Sequence, residues 1–404
     1  MAEPFNTPVP GATPVPGATP VYGTPVPGTT PRSTTPEIER AARPIVLHIG
    51  DEVRYNPATY AQFARKFDII RPSLAERQRP VFAQALREGR WGQFAAIFRP
   101  FWGSGGEMGA WDEDLVALLP ASCRVFASAG AGFDWADTKA LGARGVIYCN
   151  SGLAAAEAVS DFAVAMVIST FRHLAWCIGA ATLADPALRS TAFAASHSRA
   201  TAQSHNLRGH VLGLVGMGNI GQSIAAKLGC VAFGMQIHYY DIVRKPAALE
   251  QELRATYHAS LPDLLAVADC VVLCTPAAAD GSPLIDKAAL AQMKPGARFV
   301  NVARGSLVDE EALADALEDE AGGLAAAALD VHATEPHVHP RLLQLATLSA
   351  TASTPIPARV MLTCHNAGGT VETHIGFEEL SMRNIMAVLD GGQAITPVNL
   401  HYLK

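Results

Sequence analysis

Residues 211–221 read Val-Leu-Gly-Leu-Val-Gly-Met-Gly-Asn-Ile-Gly, and no other stretch restricts the fold as strongly. The apolar run predicts a buried strand. Gly216, Gly218 and Gly221 then set a G-x-G-x-x-G spacing at the opening of a predicted helix. Each glycine answers a different steric demand: the tight turn, the approach of backbone to a pyrophosphate, and close packing of helix on strand. The helix N-terminus offers unpaired N–H groups and a positive dipole end to phosphates. Asp241 closes the next predicted strand, His238-Tyr-Tyr-Asp241, twenty positions after Gly221. A carboxylate there accepts hydrogen bonds from ribose hydroxyls and repels a 2′-phosphate, which predicts an NAD rather than an NADP site. Arg244 and Lys245 follow closely and read as a solvated loop; bent inward, that loop would reach a 2′-phosphate.

Around this turn the chain alternates short apolar runs with helical stretches. Strands are expected at 211–215, 236–240, 270–274, 298–302 and 325–331, with helices at 219–229, 261–267, 286–292 and 309–319 between them. Upstream, strands at 44–49, 67–70, 95–98, 124–127 and 146–149 alternate with helices at 57–66, 80–88 and 111–119. Pro57 and Pro80 suit a first helical position, where the missing N–H would have no partner anyway. A long helix over about 154–177 joins the two runs. Repeated strand–helix alternation predicts an α/β fold with parallel sheets in two domains.

Residues 1–43 differ in kind. Thr-Pro-Val-Pro-Gly-Ala occurs at 7–12 and 13–18, Thr-Pro-Val-Pro-Gly-Thr at 24–29, and ten of the 27 prolines lie in the first 40 residues. Such a tract buries little apolar area and is expected to be a disordered tail. The whole chain of 404 residues carries 31 basic and 37 acidic side chains, a net charge of −6, which argues against nucleic-acid binding. Its seven cysteines include no C-x-x-C pair, so neither a disulfide framework nor a zinc site is expected, and no metal; reduced thiols point to the cytoplasm. The most apolar run, 162–171, is short for a membrane span, and the first residues lack the build of a signal peptide.

Three further segments place a polar group just past a predicted strand: Asn301-Val-Ala-Arg304-Gly305, Asp330-Val-His-Ala-Thr-Glu335-Pro336 and Cys364-His365-Asn-Ala-Gly-Gly369. Ligands of open α/β sheets bind at the carboxyl ends of strands, so these groups are expected to share one crevice with the nucleotide. A guanidinium such as Arg304 forks onto a carboxylate and polarises an adjacent carbonyl. A histidine such as His365 donates and accepts protons near neutral pH, and a carboxylate such as Glu335 on its second nitrogen fixes the tautomer. This chemistry fits hydride transfer at a 2-oxo acid.

Taken in order, G-x-G-x-x-G, Asp, Asn-x-Ala-Arg-Gly, Asp-Val, Glu-Pro and His-x-x-Gly-Gly resemble the D-isomer-specific 2-hydroxyacid dehydrogenase family over residues 44–404. Arg124-Val-Phe-Ala-Ser-Ala-Gly-Ala-Gly-Phe-Asp-Trp135, Arg208-Gly-His-Val-Leu-Gly213 and Tyr239-Tyr-Asp241 are most similar to its fungal D-mandelate dehydrogenase branch. The resemblance implies that Arg304 binds substrate, His365 is the acid/base and Glu335 its partner, with the substrate carboxylate on the Ala131 and Gly132 amides. It implies cofactor contacts at Gly216, Gly218, Asn219, Ile220, Gly221, Asp241, Thr275, Pro276, Ala303, Asp330 and Gly368, Asp330 meeting the nicotinamide carboxamide. It further implies a Rossmann-type nucleotide domain over 154–365 and a smaller flavodoxin-like substrate domain over 44–153 completed by 366–404. These would close over a small 2-oxo or 2-hydroxy acid in a homodimer, with no membrane or nucleic-acid partner.

Two departures stand out: Gly281-Ser-Pro-Leu-Ile285 lacks the threonine usual there, and 346–357 reads as an insertion ahead of the catalytic-histidine strand. Mandelate-like or branched substrates are expected, with Phe101 and Trp102 as candidate pocket aromatics. Glyoxylate/hydroxypyruvate reduction is the alternative within the family, and an NADH-sensing transcriptional corepressor the alternative outside enzymes. Glu335 stands where formate dehydrogenases carry glutamine. Only 39 residues follow His365, which disfavours a phosphoglycerate dehydrogenase with an appended regulatory domain.

Overall fold

Short apolar runs, with polar residues mostly at their ends, form most of the strands, as expected of parallel strands covered on both faces. The computed structural model describes residues 42–101, 106–277, 281–319, 321–348 and 357–403. The proline-rich tail, Trp102 and most of the 346–357 segment lie outside the described residues.

The first half runs β1 (Ile45–His48), α1 (Pro57–Lys66), β2 (Asp68–Ile70), α2 (Arg79–Arg87), β3 (Ala96–Arg99), α3 (Glu113–Val116), β4 (Val125–Ser128), α4 (Thr138–Ala143) and β5 (Ile147–Cys149). Helices α5 (Gly152–Arg172), α6 (Leu174–Thr182) and α7 (Pro186–Gln203) follow. The second half comprises β6 (Val211–Val215), α8 (Asn219–Leu228), β7 (Gln236–Tyr240), α9 (Ala247–Leu253), β8 (Ala255–Tyr257), α10 (Leu261–Val267) and β9 (Cys270–Leu273). It continues with α11 (Lys287–Leu290), β10 (Arg298–Asn301), α12 (Glu310–Glu318), β11 (Ala326–Leu329), α13 (Pro340–Ala346), β12 (Val360–Leu362) and α14 (Val371–Leu389).

Two wholly parallel sheets result, five strands in the order β2-β1-β3-β4-β5 and seven in the order β12-β11-β10-β9-β6-β7-β8. The α/β class with parallel sheets is therefore as expected. In the larger sheet the chain reverses direction between β6 and β9, the switch point at which ligands of such sheets bind. Met382, Ile385, Met386 and Val388 of α14 share a core with Val46, Phe63, Phe98 and Val125, so the last long helix covers one face of the smaller sheet.

Several expected elements change. The helix expected at 154–177 ends at Arg172, because His173 takes a left-handed φ of 49° and α6 begins afresh. By length and composition α5 could cross a membrane, which the contiguous apolar run understated; more than half of it is buried, against α8, α14, β10 and β11. The helix expected at 111–119 shrinks to α3, because Trp111 is drawn into a bridge with Ala136 and Asp112 caps Leu115 N–H. The larger sheet gains β8, a three-residue edge strand.

Candidate active site

The Gly-rich turn leaves β6 at Gly216, whose φ of 101° suits glycine and where a Cβ would crowd the Cys274 carbonyl just past β9, at 2.8 Å. A Cβ on Gly221 would overlap the Gly216 carbonyl, so only glycine lets α8 pack this closely. At Gly218 no atom stands within 4 Å of a Cβ position, so the backbone is open to a ligand there. Asn219 and Ile220 form the first turn of α8, and Thr275 and Pro276 leave β9 beside the turn. These residues fit the pyrophosphate of a dinucleotide.

Asp241 follows β7 and holds the turn directly: its Oδ2 accepts the Met217 N–H at 2.8 Å and its Oδ1 the Val243 N–H at 3.1 Å. Lys245 Nζ pairs with Oδ2 at 3.1 Å, so it does not stand on a solvated loop as expected. Burial alone would raise the Asp241 carboxyl; the two N–H donors and Lys245 outweigh it and hold the group below its usual value. Arg244 is held on Glu250 by two hydrogen bonds of 3.0 and 2.9 Å, from Nε and Nη2, with its guanidinium 5.3 Å from the Tyr257 ring centre.

Arg304 stands three residues past the last residue of β10. Asn301, almost wholly buried, ties this turn from within: its Oδ1 accepts the Ala303 N–H at 2.9 Å and its Nδ2 donates to the Arg304 carbonyl at 2.9 Å. The guanidinium reaches across to the loop after β4, where Nε donates to Asp134 Oδ1 at 2.9 Å. A Cβ on Gly132 would overlap that guanidinium, so the expected cradle and Arg304 are in direct contact. Asn150 Nδ2 donates to the Ala131 carbonyl at 2.8 Å and Ser151 N–H to that of Gly130 at 2.8 Å, pinning the cradle to the start of α5.

His365 Nδ1–H donates to Glu335 Oε2 at 2.8 Å. The tautomer follows from the partner, since an ionised carboxylate only accepts. Glu335 Oε1 also accepts the His332 N–H at 3.0 Å. Burial would raise the Glu335 carboxyl, but the bonds from His365 and His332 and the nearby imidazoles prevail and keep it below its usual value. Both side chains of the pair are about one-third exposed.

The loop bearing His365 is clamped by Asp330, which is 1 % exposed. Its backbone carbonyl accepts the His365 N–H at 2.7 Å. Its Oδ1 accepts the Thr363 hydroxyl at 2.7 Å and the Asn366 N–H at 2.9 Å, and its Oδ2 the Ala367 N–H at 2.9 Å. This clamp holds His365 at φ 55°, a left-handed conformation costly for a side chain of this kind. The family resemblance places Asp330 at the nicotinamide and predicts no role for Thr363 or Asp134. Ala303 lies buried beside Arg304, and Gly368 sits near Val159 of α5. Phe101 stacks on His374 in the first turn of α14, ring centres 4.7 Å apart.

The glycine turn and the Arg304, Glu335 and His365 groups lie past strand ends, and comparison with known proteins shows which family carries this arrangement. Residues 165–355 match the family model of the D-isomer specific 2-hydroxyacid dehydrogenase NAD binding domain. The D-mandelate dehydrogenase of Rhodotorula graminis, in its holo form, is 39 % identical, with 89 % of this chain and 98 % of that chain covered and a TM-score of 0.79. A glyoxylate reductase from Paecilomyes thermophila is 30 % identical, covering 88 % and 98 % with a TM-score of 0.74. The 4-methyl-2-oxopentanoate reductase A of Aspergillus oryzae is 32 % identical over 78 % of this chain and 87 % of its own length. The chain spans 42 % of the length of the mycobacterial D-3-phosphoglycerate dehydrogenases it also matches. This chain belongs to the D-isomer-specific 2-hydroxyacid dehydrogenase family.

Proposed function

We propose that the protein is an NAD-dependent D-2-hydroxyacid dehydrogenase that in reverse reduces 2-oxo acids, preferring mandelate-like or branched side chains. The observation that carries this reading is the pairing of His365 with Glu335 on a clamped loop at the same sheet edge as Arg304 and its Gly132 contact. Arg304 and the Ala131–Gly132 amides hold the substrate carboxylate, and the guanidinium polarises the neighbouring carbonyl. A bound reduced nicotinamide supplies the hydride taken up by the carbonyl carbon. His365 gives its Nε2 proton to the carbonyl oxygen as that charge develops, and Glu335 stabilises the imidazolium on the other side of the ring. In the oxidative direction the same nitrogen takes the proton back.

Preference for NAD is supported by Asp241, which already meets the turn and would repel a 2′-phosphate, and by Arg244, which is engaged by Glu250. A larger side-chain pocket is supported by Phe101 on His374, and by likeness to enzymes named for mandelate and 4-methyl-2-oxopentanoate. The domain division given above accompanies this reading, the seven-stranded sheet with α8 carrying the nucleotide and the five-stranded sheet with α14 the substrate carboxylate. Homodimer formation is supported by the exposed Ile178 and Phe193 of α6 and α7, and a cytoplasmic site of action by seven free cysteines. The test is a panel of 2-oxo acids assayed with NADH and NADPH in parallel. Phenylglyoxylate or 2-oxoisocaproate should exceed glyoxylate in kcat/KM; a preference for glyoxylate or hydroxypyruvate would move the protein to that branch of the family.

A further inference from the structure

The edge of the larger sheet opposite the nucleotide turn holds a second concentration of charge. His210, Asp269 and Arg298 stand at the starts of β6, β9 and β10, and with His173, His205 and Lys294 they line a cleft of about 430 Å³. Arg298 is 6 % exposed, yet among the described residues it has no ion-pair partner. Its Nη1 donates to the Gly296 carbonyl at 3.1 Å, its guanidinium lies 4.2 Å from the centre of the Phe171 ring, and its Nε has no hydrogen-bond partner. Among the described residues of the cleft the one acid, Asp269, already holds a cation: its Oδ1 pairs with Lys294 Nζ at 2.9 Å and its Oδ2 accepts the Val211 N–H at 2.8 Å. The Nδ1 of His210 is likewise buried without a partner. Two fixed cations therefore face one carboxylate among three imidazoles. Burial, and after it the Arg298 charge, keeps His173 and His205 below their usual values, so the cleft resists further positive charge.

A buried cation whose neighbouring carboxylate is already paired with another cation is under-compensated, and a guanidinium beside imidazoles and an ammonium matches the oxygens of a phosphoryl or carboxylate group. The volume lies in the range of small-ligand sites. We propose that this cleft binds a small oxyanion, inorganic phosphate or a polycarboxylate, at a site separate from substrate and cofactor.

The test is calorimetric titration of the full chain, saturated with NADH so that the Gly-rich turn is occupied. Inorganic phosphate, citrate and chloride are compared at matched ionic strength. Saturable heat with phosphate or citrate and none with chloride is expected, and whichever oxyanion binds more tightly identifies its source chemistry. His205→Ala and Lys294→Gln lie on accessible positions and should each weaken binding about tenfold or more, while melting within a few degrees of the wild type. The oxyanion should leave the KM for the 2-oxo acid unchanged. Absence of saturable heat up to ~0.1 M, where affinity is negligible, would overturn the proposal, leaving Arg298 as a cation held by the Phe171 ring. Equal binding by both variants would overturn it too, as would competition with the 2-oxo acid, which places the anion on Arg304.

Discussion

Replacing Asp330 by asparagine separates two roles for one carboxylate. If Asp330 positions His365, the carboxamide oxygen can keep the Thr363 and Asn366 bonds of Oδ1, but its NH₂ then faces the Ala367 N–H, which is 4 % exposed. One charge-assisted hydrogen bond is lost and one buried donor is left unsatisfied, which together cost about 2–4 kcal/mol. Typical domains have roughly 5–15 kcal/mol in hand, so the variant should still fold. The larger effect is catalytic. A displacement of the reacting group by about 1 Å costs on the order of 100-fold, so kcat should fall ~10–100-fold. Urea unfolding followed by tryptophan fluorescence reads the first quantity, and steady-state kinetics with a 2-oxo acid the second. Thr363→Val removes a single bond to the same carboxylate and should give a smaller loss, near 1 kcal/mol. Wild-type stability and kcat in Asp330→Asn would refute the clamp. A tenfold rise in KM for NADH with kcat and stability intact would instead assign the carboxylate to the nicotinamide.

His365→Asn should lower kcat by ~10²–10⁴-fold while NADH binding, read by fluorescence titration, survives. Arg304→Gln should raise KM and lower kcat together, since the guanidinium serves ground and transition states alike; an unchanged kcat/KM for every 2-oxo acid would remove it from the site. The wild type should favour NADH over NADPH by ~10-fold or more, about 1.4 kcal/mol, and Asp241→Ser should shrink that ratio by leaving Lys245 without its carboxylate. Because the folded Glu335 carboxyl lies below its unfolded value, its contribution to stability is present above pH ~4.3 and is lost as pH falls through the lowered folded value. Glu335→Gln should therefore flatten the acid limb of a pH–stability profile, and an unchanged limb would deny the pair that role.

Much of this site could be read from local pattern because parallel register converts position after a strand into position in space. Asn301 pairs with Leu329, and Leu329 with Leu362, in one row across β10, β11 and β12. Residues one to three places beyond that row, Asp330, Thr363 and Arg304, must therefore emerge at one edge, however far apart they lie in the chain. The glycines were equally legible, since a positive φ at Gly216 and the close approach at Gly221 leave no alternative residue. Contacts between non-neighbouring segments left no such trace. Asp134 reaches Arg304 across 170 positions, and nothing in its own surroundings distinguishes it from a solvated loop acid. The break at His173 was hidden because a left-handed residue ending a helix is usually glycine, and β8 because Ala-Thr-Tyr is too short for any periodicity. Lys245 and Arg244 alike read as solvated loop residues, yet the two diverge, one onto Asp241 and the other onto Glu250. What decides between neighbours of like charge is which acid the fold brings within about 3 Å, and α9 sets that by carrying Glu250 back to the end of β7. The cofactor preference proposed for this edge therefore rests on a helix that lies outside the glycine motif.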